Sequence, residues 1–324
     1  MQVRYGLPYK GSKNAIAEWL INQLPPAETF VDLFFGGGAI THRALVSGKY
    51  KKFIVNDIDG RLPKFFLDCV YGKYTVDTHK EWISREEFNR LKDTDAYVAL
   101  IWSFGNNGKD YLYGKDIEQF KHDYHRAVYL DDTSLLEPYG YKVTSTHLKA
   151  VYDRYLEFNR QIKQQARCDN EIIERNSEIE RLQSLQHLQS LQRLQSLQRL
   201  QSLQRLQSLQ GDYADVEIPK GALVYCDIPY SDSNCGKYQG FDHERFYKWA
   251  NKQDNIFISE YKMPDEFIPY AKIEKTILSA ANGNSQKTTE YLFTNQRTYD
   301  KFSDEVKERV KLNFAEQQTF SFLE

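Results

Sequence analysis

The sequence predicts an α/β protein built around an open sheet. Two apolar segments, residues 29–34 and 222–226, have the composition of buried strands, and each runs directly into residues that are common in loops. The earlier segment continues through glycines into a stretch with helical character, so that strand, loop and helix follow one another. In open α/β sheets, ligands bind at the carboxyl ends of the strands. Functional residues are therefore expected just after these two segments.

The first segment has the organisation of a nucleotide-binding unit. The strand at residues 29–34 leads into the loop Phe35-Gly36-Gly37-Gly38, where glycines let a ligand approach the backbone closely. A second strand, residues 53–56, ends in Asp57, roughly 20 residues beyond the loop, where such units place a carboxylate for ribose hydroxyls. The loop lacks the full dinucleotide glycine spacing, which disfavours NAD.

The tetrapeptide Asp227-Ile228-Pro229-Tyr230 directly follows the second apolar segment. It presents a carboxylate beside a ring that can stack on a flat base. The exocyclic amine of adenine or cytosine is a poor nucleophile, because its lone pair is delocalised into the ring. Hydrogen bonds to the Asp227 carboxylate and to a nearby carbonyl would free that lone pair. Taken alone, the tetrapeptide is a weak signal and is more often a simple strand-to-turn junction.

Composition narrows the class of protein without identifying its function. The net charge of −2 over 324 residues gives no support to nucleic-acid binding, so phosphate contacts would need local basic clusters. No signal core and no membrane-length apolar run is present, which predicts a soluble protein of the cytoplasm with no membrane partner. The scattered histidines lack metal-ligand spacing. Paired spacing, as in a zinc site or a disulfide framework, is also absent from the cysteines, Cys69, Cys168, Cys226 and Cys235.

Residues 181–210 form a Leu-Gln-X repeat with a period of three residues. On an α-helix each such step turns by about 300°, so the leucines would spiral around the rod, which disfavours a simple coiled coil. Two structures stay open: a helix that changes conformation along the repeat, and a small β-solenoid of stacked strands. The favoured interpretation is a spacer of variable length, with self-association through the repeat as an open alternative. The basic residues that recur every six positions are Arg181, His187, Arg193, Arg199 and Arg205.

Four segments, in this order along the chain, resemble the Dam-type (class alpha amino) family of DNA adenine methyltransferases of bacteria and phages. Pro8 to Lys13 is similar to the amino-terminal element of that family, and Asp32 to Gly38 to its cofactor loop. Asn56 to Asp59 resembles its ribose-binding strand end, and Asp227 to Tyr230 its catalytic motif. A softer match, residues 103–114, resembles an asparagine- and glycine-rich segment of the family.

The resemblance implies a Rossmann-like, S-adenosylmethionine-dependent methyltransferase sheet with a mainly helical target-recognition insert. The catalytic domain would comprise residues 1–62 and 211–324. The insert would occupy residues 63–180, and the Leu-Gln repeat residues 181–210. No metal is required for this chemistry.

The cofactor implied by the resemblance is S-adenosylmethionine. Asp227, Pro229 and Tyr230 would be catalytic: an adenine flipped out of the duplex would sit on Tyr230, and Asp227 would orient its amine for in-line attack on the methyl group. Asp212 and Tyr213 are candidates for the cofactor's adenine, and Tyr9 and Lys13 would close over the cofactor. The complete expected set of cofactor-binding residues is Tyr9, Lys13, Asp32, Phe35, Gly36, Gly37, Gly38, Asp57, Asp212, Tyr213 and Asp227.

The partner implied by the resemblance is double-stranded DNA. Basic side chains interleaved with tyrosines would neutralise phosphates and stack or wedge against bases. Asparagines would reach base edges, although Asn-Gly is first of all a turn signal. The expected DNA-binding residues are Lys10, Asn106, Asn107, Lys109, Tyr111, Tyr113, Lys121 and Arg126.

Three departures limit what the resemblance carries over. Ile228 replaces the second proline of the catalytic motif, and Ser12 replaces a glycine. Pro8 stands where Dam itself carries a lysine that helps to read the first base, so the target sequence of Dam is not transferred.

Two alternative functions stay open. The same site chemistry suits a methyltransferase that acts on cytosine, RNA or a protein amide. A non-catalytic nucleic-acid-binding or assembly protein on this fold is the other alternative. The joint presence of Asp57, Asp227 and Tyr230 argues against that second alternative, because a protein that only binds has no need of all three.

Overall fold

The chain divides into two compact units. The sheet unit comprises Lys13–Pro63 and Leu203–Glu324, and the helical unit comprises Met1–Ser12 and Lys64–Ser202. The structure is a computed structural model, and it describes residues 4–168, 184–200, 206–230, 240–278 and 285–315.

Seven β-strands form the framework of the sheet unit. In chain order they are β1 (Thr29–Asp32), β2 (Lys52–Asp57), β3 (Leu206–Gln210), β4 (Leu223–Cys226), β5 (Ile256–Glu260), β6 (Phe267–Leu278) and β7 (Ser285–Asn295). They form one sheet in the order β3-β2-β1-β4-β5-β7-β6. The strands from β3 to β5 in this order are parallel, whereas β7 runs antiparallel to β5 and β6. The predicted α/β sheet is confirmed.

The described α-helices are distributed between the two units. Those of the sheet unit are α1 (Ala17–Gln23), α2 (Ala39–Ser47), α9 (His243–Ala250), α10 (Gln296–Asp300) and α11 (Asp304–Ala315). The helix α3 (Arg61–Val70) begins in the sheet unit and continues into the helical unit. The helical unit also contains α4 (Arg85–Leu91), α5 (Ala96–Ile101), α6 (Glu118–Leu130), α7 (Val151–Cys168) and α8 (Gln186–Gln195). Within the described ranges no helix is both long and apolar enough to span a bilayer.

The central strands of the sheet are buried on both faces. Every residue of β1, β4 and β5 is buried. Strands of this kind read as continuous apolar runs because helices cover both sides of a parallel sheet. One of these helices is α9, whose Phe246 and Ala250 pack with Val224 and Ile258 in the core. Burial on both faces holds the strand ends rigidly, which is what a site built on them needs.

Local capping signals begin two helices of the helical unit. Ser84 and Glu87 form a capping box at α4, and the Asp95 side chain accepts hydrogen bonds at the start of α5. In the described part of this unit, the β pairing is limited to an isolated bridge between Ser103 and Tyr111. The expectation of a mainly helical insert is confirmed.

The Leu-Gln repeat changes conformation along its described length. It forms α8, then a 3-10 turn at Ser196–Leu200, and finally the edge strand β3. The leucines of α8 and of the turn are buried. A three-residue period suits a 3-10 helix, in which residues i and i+3 are eclipsed, and over a helix as short as α8 it still keeps the leucines on one side. Residues 184–200 and 206–210 therefore adopt the changing conformation and not a β-solenoid; residues 181–183 and 201–205 lie outside the described part of the chain.

Arginine recurs every six residues through the repeat, but positions 187 and 211 of this register hold His187 and Gly211 instead. His187 is fully buried: its Nδ1 accepts from the Tyr113 hydroxyl at 2.8 Å, and its Nε2 lies 2.9 Å from His125 Nδ1. Gly211, directly after β3, has φ 153°, a backbone conformation that favours glycine. Its N–H donates to the Asp57 carbonyl, and its own carbonyl accepts from the Asn56 side chain.

Candidate active site

The candidate site lies at the carboxyl edge of the parallel strands. The strand order reverses between β1 and β4, and in open α/β sheets this reversal point opens a crevice for ligands. The loop after β1 is hydrogen-bonded to its neighbours, since Leu33 N–H donates to the Tyr225 carbonyl and Phe35 N–H to the Asn56 carbonyl. The glycine loop and the Asp227–Tyr230 segment therefore leave the sheet side by side.

Asp57 fastens the glycine loop to the end of β2. One of its carboxylate oxygens accepts from Gly36 N–H at 2.7 Å, and the other accepts from Asp59 N–H at 2.9 Å. Gly38 has φ 67°, and a Cβ atom there would lie 2.3 Å from the Phe35 ring. The loop therefore needs glycine at position 38 for both its backbone conformation and its packing.

Asp32 is a buried carboxylate at the end of β1. Its Oδ2 accepts from the Thr41 hydroxyl at 2.6 Å, whereas its Oδ1 has no hydrogen-bond partner among the described residues. Burial raises the pKa of Asp32 to about 7, and the negative charges of Asp227 and Asp57 add to this effect against the Thr41 hydrogen bond. A buried oxygen without a partner is costly, so this position suits a ligand that brings a donor.

An aromatic wall stands beside the loop after β1. The Phe34 ring lies 5.5 Å from the Tyr213 ring and 5.7 Å from the Phe241 ring, measured between centroids. The Tyr213 hydroxyl is buried and, within the described ranges, has no hydrogen-bond partner. Asp212 stabilises this wall, because its side chain caps Ala214 N–H at 2.9 Å and accepts from Arg245 at 2.6 Å.

Lys13 joins the Asp227–Tyr230 segment to a second carboxylate. Its Nζ lies 2.8 Å from Asp227 Oδ1 and 3.2 Å from Glu290 Oε1, and it also contacts the Tyr230 hydroxyl. The Tyr230 hydroxyl donates to Glu290 Oε1 at 2.7 Å. These four residues form what we call the lysine cluster: Lys13, Asp227, Tyr230 and Glu290.

The lysine cluster is electrostatically self-consistent. Burial alone lowers the pKa of Lys13, but the adjacent carboxylates of Asp227 and Glu290 outweigh it and raise the pKa above its usual value. The side chain of Lys13 is 6% exposed and that of Glu290 is 0% exposed, whereas that of Asp227 is 23% exposed. Asp227 is thus the member of the pair of carboxylates that remains accessible.

The Tyr230 ring is held from several sides. Lys13 Nζ lies 4.3 Å from its centroid, and the Tyr261 ring lies 4.4 Å away between centroids. The Pro229 carbonyl just before it accepts from His243 Nε2 at 2.8 Å. A ring fixed in this way can present a stacking face with little loss of side-chain entropy.

The structure brings most of the expected site residues of the sheet unit into one region. Sequence reasoning gave no role to Glu290, Tyr261 or Arg245, which complete it. A signal for Glu290 does exist, because an acid directly before the apolar run Tyr291-Leu292-Phe293 of a strand needs a partner if it is buried with that run. Tyr9 belongs to the helical unit, where its carbonyl accepts from Ser12 N–H.

Three of the residues expected to bind DNA are buried within the helical unit. The Tyr111 hydroxyl donates to the Ile83 carbonyl at 2.7 Å. Tyr113 stacks on Trp82 with 5.4 Å between centroids, and Lys121 Nζ donates to the Ser184 carbonyl at 2.6 Å. These side chains support the fold of the insert.

The Asn-Gly turn of the helical unit carries the more accessible residues. Asn107 Oδ1 accepts from the N–H groups of Lys109 and Asp110, so this side chain builds the turn. Asn106 Nδ2 donates to the Leu100 carbonyl, and its backbone carbonyl accepts from Lys10 N–H. Lys10, Lys109 and Arg126 are exposed, and Phe104 is 62% exposed.

A groove of about 990 Å³ lies next to this turn. Its lining includes Arg85, Lys92, Phe104 and Lys109. The described residues contain no group of three or more side chains arranged to hold a metal ion.

Comparison with known proteins identifies the chemistry of the site. The chain matches no curated protein. A family model described as D12 class N6 adenine-specific DNA methyltransferase matches residues 9–303, which include the glycine loop, Asp57 and the whole lysine cluster. The resemblance to Dam-type enzymes is confirmed, and with it the expected activity. The chain belongs to the D12 class N6 adenine-specific DNA methyltransferases, enzymes that methylate adenine in DNA.

Proposed function

We propose that the sheet unit is the catalytic domain and that the lysine cluster is its reaction centre. In this proposal the target adenine stacks on Tyr230, and its exocyclic amine donates to Asp227. The observation that carries the proposal is the position of Asp227: it is the partly exposed carboxylate at the end of β4, next to the glycine loop at the end of β1. The helical unit would hold the target-recognition insert.

The residues at the edge of the sheet fit S-adenosylmethionine as the methyl donor. When bound, this cofactor supplies a methyl group on a positively charged sulfur. Asp32 Oδ1 offers a buried acceptor without a partner in the described chain, which suits the cofactor's amino group. Phe34 and Phe241, which are partly buried beside Tyr213, offer apolar rings against which its adenine would pack.

The remaining cofactor contacts follow from hydrogen-bonding capacity. Asp57 Oδ2 accepts from Gly36 N–H and its Oδ1 accepts from Asp59 N–H, so the carboxylate lies at the base of the glycine loop, where it would also accept the ribose hydroxyls. Phe35, Gly36, Gly37 and Gly38 would line the loop on which the cofactor lies. Asp212 would support the adenine side of the site through Tyr213, and Tyr9 remains our candidate for closing it. Lys13, buried among catalytic residues, would act on Asp227 instead of covering the cofactor.

Asp227 prepares the target amine for attack. The carboxylate of Asp227 and the carbonyl oxygen of Pro229 would accept hydrogen bonds from the two N–H groups of the amine. These hydrogen bonds would draw the nitrogen towards tetrahedral geometry. The nitrogen lone pair of the target amine would form the new bond to the methyl carbon that the bound cofactor supplies, and the electron pair of the broken carbon–sulfur bond would stay with the cofactor. The nitrogen then loses one proton, which Asp227 can accept and pass to water. Alignment supplies most of the rate, because the sulfonium is already a good leaving group.

The test is methyl transfer from labelled S-adenosylmethionine to unmethylated DNA. The DNA is digested and the labelled nucleoside identified, with D227A as the test variant and D265A, an exposed aspartate of the same unit, as the control. We expect N6-methyladenine from the wild type and D265A, and none from D227A. A labelled cytosine, or an unchanged rate in D227A, would contradict the proposed roles.

For DNA binding, we propose that the exposed residues around the Asn-Gly turn contact the duplex. These are Lys10, Lys109 and Phe104, with Asn106 and Asn107 shaping the turn, and we add Arg126, which is exposed on α6. Tyr111, Tyr113 and Lys121 would act indirectly, by holding this surface in place. Phosphate contacts make affinity fall with salt, and each removed contact lowers the salt slope by about 1.

Two broader proposals remain from the sequence. We propose that the enzyme works in the cytoplasm of a bacterium or of an infected cell, since its substrate is DNA and Cys69 and Cys226 are free thiols. Self-association through the Leu-Gln repeat stays a prediction, which light scattering over a range of protein concentrations will test.

A further inference from the structure

Glu290 is a fully buried carboxylate for which the proposed reaction has no assigned task. It lies in β7, in the segment Thr289-Glu290-Tyr291-Leu292, and it is 0% exposed. Burying a carboxylate costs several kcal/mol unless charges and hydrogen bonds compensate it. The position therefore calls for a function that an apolar residue would not supply.

The contacts of Glu290 lead to two catalytic side chains. The same oxygen, Oε1, accepts from the Tyr230 hydroxyl at 2.7 Å and lies 3.2 Å from Lys13 Nζ. Lys13 in turn reaches Asp227 Oδ1 at 2.8 Å. Glu290 thus lies on the buried side of the cluster, and Asp227 lies on its accessible side.

Asp227 has two competing partners during the reaction. In the structure its Oδ1 binds the Lys13 ammonium, but in the reaction it must accept a hydrogen bond from the target amine. If Lys13 lost Glu290, Asp227 would be the one carboxylate left in the cluster to balance the ammonium, and the two would pair more tightly. Glu290 therefore weakens the competition by sharing the positive charge.

The Tyr230 ring depends on the same carboxylate. A stacking platform works only when its plane is fixed, and the hydroxyl of Tyr230 is anchored at Glu290 Oε1. The cluster also contains one ammonium and two carboxylates, so its charge is complementary to the positive sulfur of the methyl donor.

We propose that Glu290 is a positioning residue of the methyl transfer: it shares the Lys13 ammonium with Asp227 and anchors the Tyr230 hydroxyl, so that Lys13 holds Asp227 less tightly when Asp227 accepts a hydrogen bond from the target amine. The inference rests on the proposed roles of Asp227 and Tyr230. It adds a residue 63 positions beyond the catalytic aspartate, on a different strand.

The test compares E290Q with E274Q. Glutamine keeps the size and one acceptor oxygen but removes the charge. Glu274 lies on β6, which pairs with β7, and it is exposed, so E274Q is the matched control. For E290Q we expect kcat to fall about 100-fold, a loss typical of a misplaced reacting group, while the Kd for S-adenosylmethionine from calorimetry changes less than about 3-fold.

The pH profile supplies a readout that a purely structural role would not move. The groups that face the Lys13 ammonium are Asp227, Glu290 and Tyr230. Removing the Glu290 charge lowers the pKa of Lys13, so the alkaline limb of kcat should shift to lower pH in E290Q and stay in place in E274Q.

Several outcomes would overturn the inference. Wild-type kcat in E290Q, or an equal loss in E274Q, would do so, while an inactive D227A would still support the proposed function. If E290Q fails to fold by thermal melting, Y230F replaces it, because it removes only the hydroxyl bonded to Glu290. A Y230F enzyme with wild-type kcat and cofactor affinity would show that the anchored hydroxyl has no positioning role.

Discussion

Lys13→Met should be one of the most destabilising single substitutions in the sheet unit. The change keeps an unbranched side chain of similar length but removes the ammonium that lies 2.8 Å from Asp227 and 3.2 Å from Glu290. Removing one partner of a buried ion pair costs about 3–5 kcal/mol, because the other charge stays buried without compensation. Glu290, at 0% exposed, carries most of this cost, and Asp227, at 23% exposed, carries less because water reaches it.

Urea unfolding of the wild type and of K13M at pH 7.5 measures this loss. We expect a lower midpoint with an unchanged slope, and a difference in unfolding free energy of about 3–5 kcal/mol. The double variant K13M/E290Q should recover about 1–3 kcal/mol of it, since the buried charge that lost its partner is then neutral. K13M should also lose methyl transfer.

The pH dependence of this stability follows from the raised pKa of Lys13. A lysine whose pKa is higher in the folded protein contributes stability below its unfolded pKa of 10.5, and that contribution is lost as the pH rises through the folded value. The gap between the wild type and K13M should therefore be complete at pH 7.5 and narrow only in strong alkali. A loss below about 1 kcal/mol at pH 7.5, or a double variant no more stable than K13M, would refute this reasoning.

Three further perturbations test other parts of the molecule. Burial lowers the pKa of His125 to about 4 and that of His187 well below 6.5, so both side chains are neutral in the folded protein at neutral pH. The unfolding free energy should therefore fall as the pH drops from 6.5 towards 4, and it should fall less steeply in H187Q. A wild-type unfolding free energy that does not change over this pH range would contradict this. G38A should weaken S-adenosylmethionine binding in calorimetry. Alanine at φ 67° strains the loop by about 1 kcal/mol or more, and its Cβ displaces the Phe35 ring. An unchanged affinity would show that the loop is not the cofactor site. K109A should reduce DNA affinity and lower its salt slope by about 1 without changing the melting temperature. K252A, at an exposed lysine of the sheet unit, is the control and should leave the DNA affinity and its salt slope unchanged.

The chemistry of the site could be predicted where neighbours in sequence are neighbours in space. The glycine loop and the Asp227–Tyr230 segment each follow a strand directly, so a local pattern identifies both the element and the residues at its end. Parallel pairing of β1 with β4 then brings the two segments together. Asp57 belongs to the same class, because it ends the next strand of the same unit.

The residues that complete the site depend on pairing that no local pattern encodes. Glu290 lies 60 positions after Tyr230 in the chain, and it reaches Tyr230 because β7 inserts antiparallel between β5 and β6. Local sequence also failed to show that two tyrosines expected at a DNA-binding surface are buried in the helical unit. Tyr111 and Tyr113 look like a stacking surface in a sequence, yet their rings pack on Phe88 and Trp82, and burial of this kind depends on the tertiary fold.

The Leu-Gln repeat contains identical sequences that adopt different secondary structures. The same pentapeptide, Leu-Gln-Ser-Leu-Gln, is helical at residues 188–192 and extended at residues 206–210. The two copies differ in the residue next to them. His187 joins a buried hydrogen-bond network beside the first copy, and Gly211 is hydrogen-bonded to the end of β2 beside the second. The secondary structure of each copy therefore depends on the contacts of the flanking residues, His187 and Gly211, which we call the anchors, and not on the sequence of the copy itself. A gain of one whole copy between the anchors would leave both of them intact and change only the length of chain that joins the two units.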